Sequence, residues 1–298
     1  MPLIVVLLVV LLGGCTAAPV DRPTATSTTS SGPPAERVYV SLGDSYATGY
    51  RPADAGAPAG PTRAGFAYLV ADASHLRLIN LACSGATSAQ VREEPGCAPG
   101  NRALDAPDPG DRTQLDAAVR TLRAYRGRVG LVTVVIGGND LAPCARAADA
   151  SAAVACASQA VSDVRTNLAA ILPALRKAAG DAPIVGLTYP DVFLGAWVSA
   201  EFPDGQSLAR LSVPLFRNFN AALRAEYGRV GARFADITAA TGAYGPLTAL
   251  TQDPAYGSIP TPVAKVCTLT YFCTHTDVHP TPAGHEAIAT AIRTAAGG

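Results

Sequence analysis

The chain has 298 residues, a formal net charge of zero, 49% hydrophobic and 15% charged residues. That is enough for one large core, and length alone allows one or two domains. Lysine occurs only at Lys177 and Lys265 and no basic run is present. A nucleic-acid partner is therefore not expected, because phosphate binding needs clustered Lys and Arg.

Leu3 to Leu12 form an apolar run too short to span a bilayer, which fits the core of a signal peptide. It ends Leu12-Gly13-Gly14-Cys15, resembling a bacterial lipoprotein signal in which the Cys is acylated and becomes the mature N-terminus. Met1 to Val5 carry no Lys or Arg, a departure from the usual positive n-region; an ordinary cleaved signal with an incidental Cys is the alternative. Residues 1–15 are read as the signal, and residues 16–36, rich in Pro, Ser and Thr, as a disordered tether that cannot bury enough surface to fold. The folded domain is expected over residues 37–298.

Val38 to Leu42 read as a short buried strand, and Gly43-Asp44 as the turn that ends it. Ser45 then stands where a strand gives way to a helix, where unpaired N–H groups and the helix dipole favour negative charge. Leu76 to Leu81, Leu131 to Ile136, Ile184 to Tyr189 and Ala232 to Ile237 are further strand candidates. Helical spacing of apolar residues marks Thr113–Tyr125, Ser158–Ala179 with an expected kink at Pro173, and a stretch through Leu208 and Leu223. Thr281 and Pro282 have the N-cap and first-turn chemistry of a last helix. Alternating strands and helices predict a mostly parallel sheet covered on both faces. Three Gly- and Pro-rich stretches, Arg51–Arg63, Glu93–Asp111 and Thr238–Phe272, read as long loops. Phe193, Leu194, Trp197 and Phe202 either line a pocket or belong to the core.

Apart from Cys15, the cysteines form an even set in an exported chain, which argues for disulfides. They fall into sequence-local couples, so the expected bonds are Cys83–Cys97, Cys144–Cys156 and Cys267–Cys273. No CxxC or matching Cys/His spacing supports zinc. His275, Asp277, His279 and His285 lack a complete ligand spacing, so no metal site is assigned.

Four pieces carry the chemistry. Ser45 offers a hydroxyl at a helix start. Gly85, in Asn80-Leu81-Ala82-Cys83-Ser84-Gly85-Ala86-Thr87, sits in a turn after a strand, where a glycine allows close backbone approach. Asn139, in Gly137-Gly138-Asn139-Asp140, offers an amide donor at the same rim, and His279 an imidazole before the last helix. Together these are the parts of acyl transfer: a nucleophile, a general base and oxyanion donors on the Ser45 N–H, the Gly85 N–H and the Asn139 side chain.

From Val38 to the C-terminal helix the chain resembles the SGNH (GDSL) hydrolase superfamily, whose Ser, Gly, Asn and His blocks match Ser45, Gly85, Asn139 and His279. The forms Ala82-Cys83-Ser84-Gly85-Ala86-Thr87 and Ile136-Gly137-Gly138-Asn139-Asp140 are similar to those of exported, three-disulfide lipases and esterases of actinobacteria. The resemblance implies a flavodoxin-like three-layer α/β/α sandwich, serine esterase or lipase activity, and no cofactor. Such members usually carry an Asp three residues before the His; here Thr276 stands there and Asp277 lies two before. Either the Asp277 carboxylate or the Thr276 carbonyl then orients the ring, with Asp277 favoured. The expected partner is an ester substrate, a lipid or an acylated glycan, and the protein is expected to be a monomer held at the membrane through Cys15. A carbohydrate O-acetylesterase and a non-catalytic ligand-binding lipoprotein are the rival readings.

Overall fold

The computed structural model describes residues 36–53 and 57–297. The expected leader 1–15 with Cys15, and the tether up to residue 35, lie outside the described residues.

In chain order the elements are β1 (Val38–Gly43), α1 (Ser45–Thr48), α2 (Phe66–Ala73), β2 (Arg77–Asn80), α3 (Ser88–Glu93), α4 (Gln114–Ala124), β3 (Val129–Val135), α5 (Gly138–Leu141), α6 (Ala150–Ala179), β4 (Ile184–Leu187), α7 (Gly205–Gly228), β5 (Arg233–Ala235), α8 (Ile237–Ala240), β6 (Leu250–Asp253), β7 (Gly257–Pro260), α9 (Thr261–Leu269), α10 (Phe272–His275) and α11 (Pro282–Ala296). Short 3₁₀ turns occupy Pro99–Asn101, Ala142–Arg146 and Val192–Trp197.

The five main strands form one parallel sheet in the order β2-β1-β3-β4-β5. β1 is buried at every position, as a central strand covered on both faces must be. Helices α2 and α11 pack together on one face; α4, α6 and α7 form the layer on the other. The order 2-1-3-4-5 is that of flavodoxin-like sheets, in which the winding reverses between β1 and β3 and leaves a crevice past their carboxyl ends. Ser45 follows β1 and Asn139 follows β3, so the two border that crevice.

Several sequence expectations need correction. Helix α6 begins at Ala150, eight residues before the expected Ser158. Residues 150–157 are mostly alanine and show no apolar stripe, but they propagate a helix well, and the Asp149 side chain caps them by accepting from the Ala152 N–H. Pro173 lies inside this helix, as expected. The stretch Thr238–Phe272 is not a long loop: it holds α8, the antiparallel hairpin β6–β7 and α9. Ile259, Val263 and Val266 bury themselves there with Leu194 and Ala209 in a small second core. Phe193 and Phe202 join Phe272 in a third cluster, so Phe193, Leu194 and Phe202 are packing residues.

Candidate active site

The turn after β1 is built from backbone necessity upward. Gly43 has φ +139°, and a Cβ there would lie 2.0 Å from the Val135 carbonyl oxygen of β3. Only glycine lets the chain leave the sheet at this point. The buried side chain of Gln114 locks the turn, accepting from the Gly43 N–H at 2.6 Å and donating to its carbonyl at 3.0 Å. Asp44 caps α1 through its Oδ1, which accepts from the Tyr46 N–H at 2.9 Å. Tyr189 donates its hydroxyl to the other Asp44 oxygen. Burial pushes the Asp44 carboxyl up to about 6, against the pull of the Tyr189 and Tyr46 hydrogen bonds and the His279 charge.

Ser45 is the first residue of α1 and is buried. The Tyr46, Ala47 and Thr48 N–H groups are used by Asp44, whereas the Ser45 N–H has no protein acceptor among the described residues. Past β2, Gly85 adopts φ +85°, and a Cβ there would meet nothing within 4 Å, so conformation and not crowding calls for glycine. Its neighbours' N–H groups are taken, Ser84 by the Asn101 carbonyl and Ala86 by that of Cys83; the Gly85 N–H has none among the described residues. The Cys83–Cys97 disulfide ties down the start of this turn. Asn139, in α5, donates its Nδ2 to the Ala86 carbonyl at 2.9 Å, which joins the turns after β2 and β3. Asp140 accepts from the Ser88 N–H and hydroxyl at 2.9 and 2.6 Å; burial raises its carboxyl, and these bonds pull it down.

His279 arrives from the far end of the chain, 234 residues after Ser45 in number. Its backbone carbonyl accepts from the Tyr271 N–H, and the Cys267–Cys273 disulfide joins α9 to α10 just ahead of it. Asp277 Oδ1 lies 2.7 Å from His279 Nδ1 and also accepts the His279 N–H at 2.9 Å. Half-burial works to raise the Asp277 carboxyl, but the hydrogen bonds and charge of His279 outweigh it and hold it below its ordinary value. Thr276 sits in the left-handed region at φ +51°, ending α10 and turning the chain so that Asp277 faces the ring. Tyr46, the residue after Ser45, donates its hydroxyl to the Val278 carbonyl at 2.6 Å. Tyr50 lies with its ring centroid 4.5 Å from that of His279. No hydrogen bond joins the Ser45 hydroxyl to the His279 ring among the described residues; such contacts often tighten only with substrate bound.

His285, by contrast, is buried and accepts the Phe66 N–H at 3.3 Å; burial first, then the His279 charge, lowers its imidazole to about 4. His275 pairs with the Thr274 hydroxyl. The fold thus brings Ser45, Gly85, Asn139, Asp277 and His279 to one rim, while His275 and His285 hydrogen-bond to other partners. Sequence reasoning missed Gln114, Tyr189 and Tyr46. Of these only Tyr46 carried a local signal, its place beside Ser45. All three cysteine pairs are bonded as expected, the second being Cys144–Cys156 behind α5.

Known proteins bear on this arrangement. Phospholipase A1 from Streptomyces albidoflavus superposes with a TM-score of 0.59 at 19% identity, over 88% of this chain and 100% of its own. An extracellular lipase from Streptomyces rimosus gives 0.56 at 21% identity, over 87% and 99%. At such identities they establish the shared fold. No curated protein matches the sequence. Residues 41–287 match the GDSL-like Lipase/Acylhydrolase family, a span that runs from β1 into α11. The chain belongs to that family of carboxylic ester hydrolases.

Proposed function

We propose that the protein is an exported serine esterase or lipase that works through an acyl-enzyme on Ser45. Ser45 Oγ attacks the ester carbonyl carbon while its proton passes to His279 Nε2. The tetrahedral oxyanion is held by the Ser45 N–H, the Gly85 N–H and the Asn139 Nδ2. Collapse expels the alcohol, which takes the proton back from His279, and leaves the acyl group on Ser45. Water then repeats the sequence, releasing the acid. Asp277, hydrogen-bonded at Nδ1, holds the tautomer whose Nε2 can accept a proton and stabilises the imidazolium that forms.

The observation that carries the reading is the Asp277–His279 pair at 2.7 Å, tied through Val278 to the residue after Ser45. Three disulfides support maturation in an oxidising compartment. With the lipoprotein-like Cys15, they support an envelope location, the domain tethered to the membrane by residues 16–36.

Hydrolysis of p-nitrophenyl acetate, butyrate, octanoate and palmitate by wild type and Ser45→Ala tests the proposal. The variant should lose at least about 10⁴-fold in turnover. Equal rates in the two proteins would remove Ser45 from the mechanism, and a folded wild type inert to every ester would favour the ligand-binding alternative.

A further inference from the structure

Beside the site, between α3 and α6, lies a cleft of about 510 Å³. Thr87 and Asp140 line it, and they follow Gly85-Ala86 and Asn139 in the chain. The Asn139 Nδ2–Ala86 carbonyl bond joins these two turns, so the cleft flanks the chain segments that carry two of the oxyanion donors proposed above. Its floor is cross-linked. Asn167, 8% exposed, donates to the Ser88 hydroxyl at 2.9 Å and accepts from Arg92 at 3.0 Å. Ser88 in turn donates twice to Asp140. The Cys144–Cys156 bond holds the outer wall, because Cys156 itself lines the cleft. Groups held in this way present fixed hydrogen-bonding positions.

The chemistry of the lining narrows the occupant. Asp140 and Asp163 supply carboxylates, and Arg92, the cation that reaches the floor, is already engaged by Asn167 and Glu93, so a phosphate would meet like charge with no free donor cation among the described residues. No aromatic ring lines it among the described residues either, which leaves a quaternary ammonium without its usual partner. A long alkyl chain would strip water from the Asp163, Gln159 and Thr166 side chains and return no hydrogen bond. A sugar fits on each count. Its hydroxyls donate to carboxylate and amide oxygens, and its C–H faces rest on Ala89 and Ala160. Asp163 Oδ1 already accepts from Gln159 at 2.9 Å, and its Oδ2 has no partner among the described residues.

Resting on the reading of Ser45 as the nucleophile, we propose that this cleft binds the alcohol part of the substrate, a neutral polyhydroxy group such as a sugar residue of an acylated glycan. The acyl group then lies on the opposite side of the Ser45 carbonyl adduct, and the expelled hydroxyl leaves through the cleft.

The test compares two acetates in the full chain, mono-O-acetylated xylotetraose and p-nitrophenyl acetate, so that the acyl group is the same. In Ala89→Trp, which fills the cleft, the ratio of kcat/KM for the glycan ester to that for the phenyl ester should fall at least about tenfold. In Asp163→Asn it should fall about three- to tenfold, the loss of one charged hydrogen bond. A ratio within twofold of wild type in both variants overturns the proposal, as does a wild-type preference for acetylcholine or a lysophospholipid over the glycan ester. Xylotetraose titrated into Ser45→Ala by calorimetry gives a reading independent of catalysis: binding that Ala89→Trp abolishes supports the cleft, and no binding at millimolar sugar overturns it. Were Ser45→Ala still active on p-nitrophenyl acetate, the nucleophile assignment would fall while the titration still decided the cleft.

Discussion

Asp191 lies just past β4, between Pro190 and the 3₁₀ turn Val192–Trp197, and is 3% exposed. Its Oδ2 accepts from the Ser212 hydroxyl of α7 at 2.9 Å, while its Oδ1 has no partner among the described residues. Burial pushes its carboxyl up from 3.8 to about 7, against the lowering effect of the Ser212 hydrogen bond and of the Phe193 N–H nearby. A displacement of about three pH units corresponds to roughly 4 kcal/mol between the two protonation states. Because the folded value is raised, the folded state holds its proton more tightly than the unfolded chain. The resulting stability is complete below about pH 4, declines as pH rises, and is gone above about pH 7.

Asp191→Asn keeps the shape and the Ser212 acceptor but cannot ionise. Urea unfolding of wild type and variant at pH 4 and pH 8, with disulfides intact, isolates this group. The buried Asp44, raised to about 6, has the same sign but is present in both proteins and cancels in the comparison. At pH 4 the variant should be less stable by about 1–2 kcal/mol, because its amide gains an unpaired donor. Between pH 4 and pH 8 the difference should move about 4 kcal/mol in the variant's favour. A movement smaller than about 1 kcal/mol would show that Asp191 ionises in the folded state at little cost, and the burial argument would be refuted.

Other expectations concern the site and the leader. Asp277→Ala should lower kcat about 10²-fold or more with little change in KM; activity within twofold of wild type would hand the orienting role to the Thr276 carbonyl. Tyr46→Phe removes the hydrogen bond to Val278 and should cost about tenfold in kcat while leaving the ring packing and Tm nearly intact; a loss confined to Tm would make the hydroxyl purely structural. Cys15→Ala, expressed with its own leader, should move the protein from the membrane fraction to the soluble one, and continued pelleting with membranes would end the lipid-anchor reading.

The strands and the four chemical blocks were legible because each rests on local chemistry. An apolar run such as Leu131–Val135 must be covered on both faces, Thr281-Pro282 begins a helix by itself, and a Gly-rich turn marks a strand end. The cysteine couples were readable for a similar reason, since near neighbours in sequence close small loops. The start of α6 and the hairpin β6–β7 were not legible. Alanine-rich residues 150–157 carry no periodic signal, and Leu250–Pro260 acquires its role only by covering α9. Nothing in the sequence paired Tyr189 with Asp44, 145 positions apart, or aimed Gln114 at Gly43, 71 apart. The hydrogen bond between Asp277 and His279 also waited for the fold, because it depends on a left-handed turn at Thr276 that local propensity does not favour. Local sequence determined which residues could serve as nucleophile, base and donors. Their distances were decided by the parallel sheet, which brings chain segments more than two hundred residues apart to a single crevice, and no local rule carries that information.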